Sequence, residues 1–105
     1  MQDIFIDDEG KRFPLILVHG FLGSPEMWKS QIEYFKNDFR VLSPALPGFG
    51  KSSDIKSCNT IEHMTKAVLG SLKKKKIEKF NLLGHSMGGM IVQEMVKIEN
   101  DRISN

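Results

Sequence analysis

Five consecutive residues, Gly84-His85-Ser86-Met87-Gly88, have the types and spacing that could carry chemistry. A serine with a glycine two positions to either side can stand on a turn too tight for side chains at the flanking positions. An apolar run, Phe80 to Leu83, enters the pentapeptide, and residues with helical spacing leave it, so the sequence predicts strand, turn and helix. The serine then meets a helix N-terminus, where unbonded N–H groups and the helix dipole favour developing negative charge. Those are the conditions for an activated nucleophile attacking a carbonyl group. The plainer alternative is an ordinary glycine-containing turn whose serine caps the helix.

A serine nucleophile also needs a base, an orienting acid and an oxyanion hole. The N–H of Met87, directly after the serine, is one candidate donor for the hole. His19-Gly20-Phe21 follows an earlier apolar run and makes the Phe21 N–H the candidate second donor. His19 and His85 read as supports of the two loops rather than proton carriers. His63 falls on a predicted helix face before the serine and reads as a partly exposed helix residue.

Several elements must position these residues. Gln2 to Ile6 predicts a short edge strand, and Asp7-Asp8-Glu9-Gly10 a turn. Phe13 to Val18 is apolar without alternation, the pattern of a strand covered on both faces. Ser24-Pro25-Glu26 predicts a helix start, with Trp28, Ile32 and Phe35 on its apolar face. Phe39 to Leu42 is a second buried strand, and Pro44 to Ser53 a Pro/Gly/Ser loop. Asn59 and Glu62 have capping-box spacing before a helix whose stripe is Ile61, Met64, Val68 and Leu72, weakened by Gly70. A third helix runs from Met87 to about Glu99 with Met87, Met90, Ile91, Met95 and Ile98 on one face. Alternating strand and helix predict an α/β fold, a three-layer parallel sheet with helices on both faces.

Length and composition narrow the classes. The 105 residues suffice for one domain, and a formal net charge of +2 is too mild to argue for nucleic acid. Lys73 to Lys76 reads as a solvated helix C-terminus, where cations complement the dipole. Cys58 is the lone cysteine, which excludes a disulfide framework and a cysteine-based metal site. Acidic residues interrupt the N-terminus where a signal peptide would be basic then apolar, and no run reaches membrane-spanning length. The expected compartment is the cytoplasm, without membrane or nucleic-acid partners.

Val18-His19-Gly20-Phe21-Leu22-Gly23, then Leu46-Pro47-Gly48-Phe49-Gly50-Lys51-Ser52, then Gly84-His85-Ser86-Met87-Gly88-Gly89 resemble three landmarks of the α/β-hydrolase superfamily, in order. The likeness covers about residues 13–100. The His19–Trp28 stretch also resembles the corresponding loop of a menaquinone-pathway branch, a pattern that several small esterases share. The resemblance implies a serine nucleophile, a distal acid, a later histidine, a small-molecule acyl substrate and no cofactor. Family members commonly carry an acid where this chain has Ala45. Triad order in this fold is Ser, acid, His, yet no histidine follows Ser86, and Asp101 lies too early. The chain therefore looks like the N-terminal part of one hydrolase domain, with its C-terminal half absent. Such a half sheet leaves the serine's strand at an edge, so weak or absent activity and self-association through that edge are expected.

Two other functions compete with this one. Ala45 to Ser52 nearly matches a phosphate-cradling loop, although its first position is Ala45 and Pro47 lacks an N–H. A non-catalytic product, or a half-domain that needs a partner for its acid and base, fits the same residues.

Overall fold

The computed structural model describes residues 4–20, 25–47 and 60–104. Four strands form one sheet: β1 (Ile6–Glu9), β2 (Pro14–Val18), β3 (Arg40–Pro44) and β4 (Asn81–Gly84), in spatial order β1-β3-β2-β4. β3, β2 and β4 are parallel, with Ile16 opposite Leu42 on one side and Leu82 on the other. β1 joins β3 antiparallel, which makes the sheet mixed.

Side chains of β2 alternate between two cores, which is why its sequence is apolar throughout. Leu17 joins Val41, Trp28 and Ile32 beneath α1 (Lys29–Phe35). Ile16 and Val18 join Leu42 and the buried faces of α2 (Ile61–Lys74) and α3 (Met87–Ile98). Helices therefore cover both faces, giving the three layers that the element rhythm predicts. Among the described residues, no helix is long and apolar enough to cross a membrane.

Several boundaries differ from the sequence reading. The acidic run Asp7-Asp8-Glu9 lies in β1 rather than in a turn, because an edge strand leaves its side chains room for charge. Arg40 binds Asp8 through two hydrogen bonds of 2.9 and 2.7 Å, and Lys75 adds one of 3.2 Å. The reversal comes later, where Gly10 (φ 91°) and Arg12 (φ 82°) take left-handed conformations. A short 3₁₀ turn, Pro25–Trp28, precedes α1, and Ser24, its expected cap, lies outside the described residues. β3 extends through Pro44, two residues past the expected strand end.

The cap of α2 is Thr60, whose hydroxyl accepts from the His63 N–H at 3.1 Å; the expected Asn59 lies outside the described residues. With Thr60 as cap, His63 rather than Glu62 stands at the third helical position, where a capping box needs Glu or Gln. The lysine run ends α2 as expected, with Lys76 (φ 62°) closing the turn. In α3, Ile91 and Met95 are buried and Met87 is partly so, whereas Met90 and Ile98 are exposed. The buried arc is narrower than the apolar pattern because no described element covers the flanks of this helix.

A short turn, Asn100–Arg102, brings the chain back beside β4. There Phe80 pairs in parallel with Ile103: the Phe80 N–H donates to the Arg102 carbonyl and the Ser104 N–H to the Phe80 carbonyl, both at 2.9 Å. Arg102 holds this corner by donating to the Ile77 and Glu78 carbonyls and lying 5.4 Å over the Phe80 ring. An isolated parallel bridge thus lies on the outer edge of β4, at its start.

Candidate active site

β4 and α3 meet at Ser86, which has φ 58° and ψ −121°. A capping serine has extended backbone angles and bonds the helix through its hydroxyl. Ser86 has neither, for no side-chain capping bond forms. The plain capping reading is thereby overturned. Tight packing holds the turn in place. A Cβ on Gly88 would run into the Val18 carbonyl, and one on Gly84 into the Gly88 carbonyl and Val92. Both glycines are needed because backbone from a neighbouring segment occupies the space of a side chain. Gly89 differs, with its nearest neighbour at 4.0 Å.

Backbone hydrogen bonds complete the turn. The His85 N–H donates to the Val18 carbonyl at 3.1 Å, tying the turn to the end of β2. Gly88 and Gly89 donate to the His85 and Ser86 carbonyls at 2.9 and 2.8 Å. The support from His85 is therefore through its backbone, while its side chain is exposed. As the first residue of α3, Met87 has no partner for its N–H one turn earlier within the helix.

The end of β2 lies against this turn. A Cβ on Gly20 would stand 2.8 Å from the His85 carbonyl oxygen, 2.9 Å from the Ser86 Cβ and 3.4 Å from the Met87 nitrogen. So the structure brings together Ser86, Met87, His85, Gly84, Gly88 and Gly20. Phe21 lies outside the described residues. His19 is wholly buried behind the site, with Nδ1 2.8 Å from the Gly20 carbonyl oxygen and Nε2 accepting from the Leu46 N–H at 3.1 Å. That link to the β3 end was not read from sequence; a histidine closing an apolar strand was its only visible sign. His63 is exposed on α2, in the turn capped by Thr60, and Asp101 lies in the turn beside Phe80, at the opposite end of β4.

A phosphate-cradling loop at Ala45–Ser52 requires open N–H groups. The Ala45 N–H donates to the Phe5 carbonyl at 2.8 Å, the Leu46 N–H is taken by His19, and Pro47 has none. Gly48 to Ser52 lie outside the described residues, as does Cys58. No group of three or more His, Cys, Asp or Glu side chains among the described residues could hold a metal ion.

A family model for the alpha/beta hydrolase fold matches residues 14–105. (E)-2-((N-methylformamido)methylene)succinate hydrolase of Acinetobacter baylyi is 32% identical over 84 residues, which are 80% of this chain and 32% of that protein. Pimeloyl-[acyl-carrier protein] methyl ester esterase of Aliivibrio fischeri is 29% identical over 96% of this chain and 37% of its own length. Among solved structures, a thermophilic esterase from Thermogutta terrifontis is 36% identical with a TM-score of 0.89, covering 95% of this chain and 37% of that one. The chain thus spans about a third of the length of the relatives it matches.

Proposed function

Because this chain belongs to the alpha/beta hydrolase family, we propose that Ser86 is the nucleophile of a serine hydrolase acting on a carboxylic ester or related acyl compound. The observation that carries the proposal is the Ser86 backbone, held at φ 58° between two glycines and beside a helix start. Such a turn raises the hydroxyl above the ends of the strands, as expected of a nucleophile elbow. Hydrolase and esterase names among the relatives support the acyl class.

In this reading the Ser86 oxygen attacks the acyl carbonyl carbon and gives its proton to a base. The Met87 and Phe21 amides hold the resulting oxyanion, the leaving alcohol takes the proton back from the base, and water then cleaves the acyl-serine to release the acid and restore Ser86. The described histidines leave the base unassigned: His19 has both nitrogens engaged, and His63 and His85 are exposed with no side-chain hydrogen bond to Ser86. We therefore assign the base and its orienting acid to residues beyond this chain, within a longer protein or a partner. The chain alone then resembles a triad enzyme stripped of its base, with a residual rate of roughly 10³–10⁴ over water.

Labelling of Ser86 by a fluorophosphonate probe, with Ser86→Ala as control, tests the assignment. Labelling lost in the control supports the nucleophile. Labelling absent from the wild-type chain, and still absent when it forms part of a longer hydrolase, would leave the non-catalytic reading in its place.

A further inference from the structure

We infer that His19 is a positioning residue that clasps the loop facing Ser86 to the end of β3, and that it does so as the neutral Nδ1–H tautomer. The inference follows from two hydrogen bonds and complete burial. Leu46 offers an N–H to Nε2, so Nε2 must present a lone pair. Gly20 offers a carbonyl oxygen to Nδ1, so Nδ1 must carry the hydrogen. The opposite tautomer would set donor against donor at Leu46 and acceptor against acceptor at Gly20. An imidazolium would keep the Gly20 bond and oppose two donors at Leu46. Only one form of the ring satisfies both neighbours.

The position of the clasp gives it a consequence for the site. Gly20 is the residue whose hypothetical Cβ falls 2.9 Å from the Ser86 Cβ, so moving its carbonyl moves the wall of the site. The other end of the clasp is Leu46, in the segment leaving β3, which is itself buried. One ring thus fixes the spacing of two loops at the C-terminal edge of the sheet. Fully buried polar groups hold such a position only when both their hydrogen bonds are made. The tautomer and the clasp stand on geometry alone; the effect on catalysis rests on the serine-hydrolase proposal.

Two measurements on the full chain test the inference. Long-range proton–nitrogen correlation on the wild-type protein near neutral pH should show the His19 ring with Nδ1 protonated and Nε2 bare. A protonated Nε2 overturns the inference, whatever Ser86 does. In the second measurement, His19→Phe keeps the volume and removes both bonds, and His19→Asn restores a donor near the Nδ1 position. His19→Phe should move the Gly20 and Leu46 amide resonances and slow fluorophosphonate labelling of Ser86 by about 10²-fold, the scale of a 1 Å misplacement. His19→Asn should recover part of that loss. Labelling of His19→Phe at the wild-type rate overturns the positioning role. Should Ser86 prove unlabelled both in this chain and within a longer hydrolase, the function fails separately, and the ring nitrogens still decide the clasp. Should His19→Phe fail to fold, the wild-type ring decides alone.

Discussion

Gly20 and Ser86 lie so close that a methyl group on the glycine would stand 2.9 Å from the Ser86 Cβ. Real Cβ atoms do not approach that near, and the second neighbour, the His85 carbonyl oxygen at 2.8 Å, is backbone and cannot swing aside. Gly20→Ala should therefore part the two loops at a cost of about 1–3 kcal/mol, the usual range for overpacking. Thermal unfolding measures that loss. Labelling of Ser86 should fall with it, and an alanine variant with unchanged melting and labelling would refute this account of the contact.

Ser86 adopts φ 58° and ψ −121°, a conformation that disfavours any side chain. Strain of this kind costs about 1–3 kcal/mol and persists where the surroundings enforce it. Ser86→Gly removes the Cβ and should raise the melting temperature while abolishing probe labelling. Ser86→Ala keeps the Cβ and should lose labelling without that gain. Equal melting temperatures for the two variants would mean that the turn is not strained.

Gly88 and Gly89 are adjacent in sequence and opposite in expected response. A methyl group on Gly88 would collide with the Val18 carbonyl, so Gly88→Ala should separate α3 from β2 and destabilise the fold. One on Gly89 finds its nearest atom at 4.0 Å, so Gly89→Ala should be neutral or stabilising by up to about 1 kcal/mol, the helix preference for alanine. Gly70, in mid-α2 with nothing within 4 Å, should respond like Gly89. Three melting curves check the contrast.

Short local patterns are enough to read the buried strands and the tight turn at Ser86. The apolar run Phe13 to Val18 has the pattern of a strand covered on both faces, which Leu15 to Val18 meet while Phe13 is exposed, and glycines two positions from Ser86 have a steric reason visible in the spelling. The missed features depend on partners distant in sequence. Asp7-Asp8-Glu9 spells a turn, and becomes a strand because Arg40 and Lys75 neutralise Asp8 from 32 and 67 residues away. The His19–Leu46 bond is equally invisible, since nothing near His19 announces which amide it will meet. The exposure of part of the apolar face of α3 has a related cause. Met90 and Ile98 fit an apolar stripe, but exposure is set by neighbours rather than by periodicity.

Asp8 links the fold to pH. The hydrogen bond from Arg40 holds its carboxyl below the ordinary aspartate value; burial opposes this, and Lys75 adds to the lowering. A group with a depressed folded pKa stabilises the fold fully above its unfolded value, about 3.9. That contribution disappears as pH falls through the lower folded value. Asp8→Asn should melt below wild type at pH 7, and the two curves should converge as pH falls through the lowered folded value and the wild-type carboxyl protonates. A difference that persists unchanged into acid would show that the aspartate acts through shape rather than charge.

The two outer strands are built for opposite company. β1 presents Asp7, Asp8 and Glu9, charges that discourage pairing with another sheet. β4 presents Leu83, a strand residue 45% exposed, and among the described residues its outer ladder is made only at Phe80. In register with Leu17, Leu83 sits on the α1 face of the sheet, where no described helix reaches it. Unpaired N–H and C=O groups beside an exposed leucine make this edge the expected route of self-association. Sedimentation of the chain at micromolar concentration should show species larger than a monomer. Leu83→Lys should shift them towards the monomer without altering the far-ultraviolet circular dichroism, because the side chain already reaches solvent. Wild-type chain that sediments as a monomer at the same concentration would remove the β4 edge as an interface, and a Leu83→Lys variant that associates equally well would place the contact elsewhere.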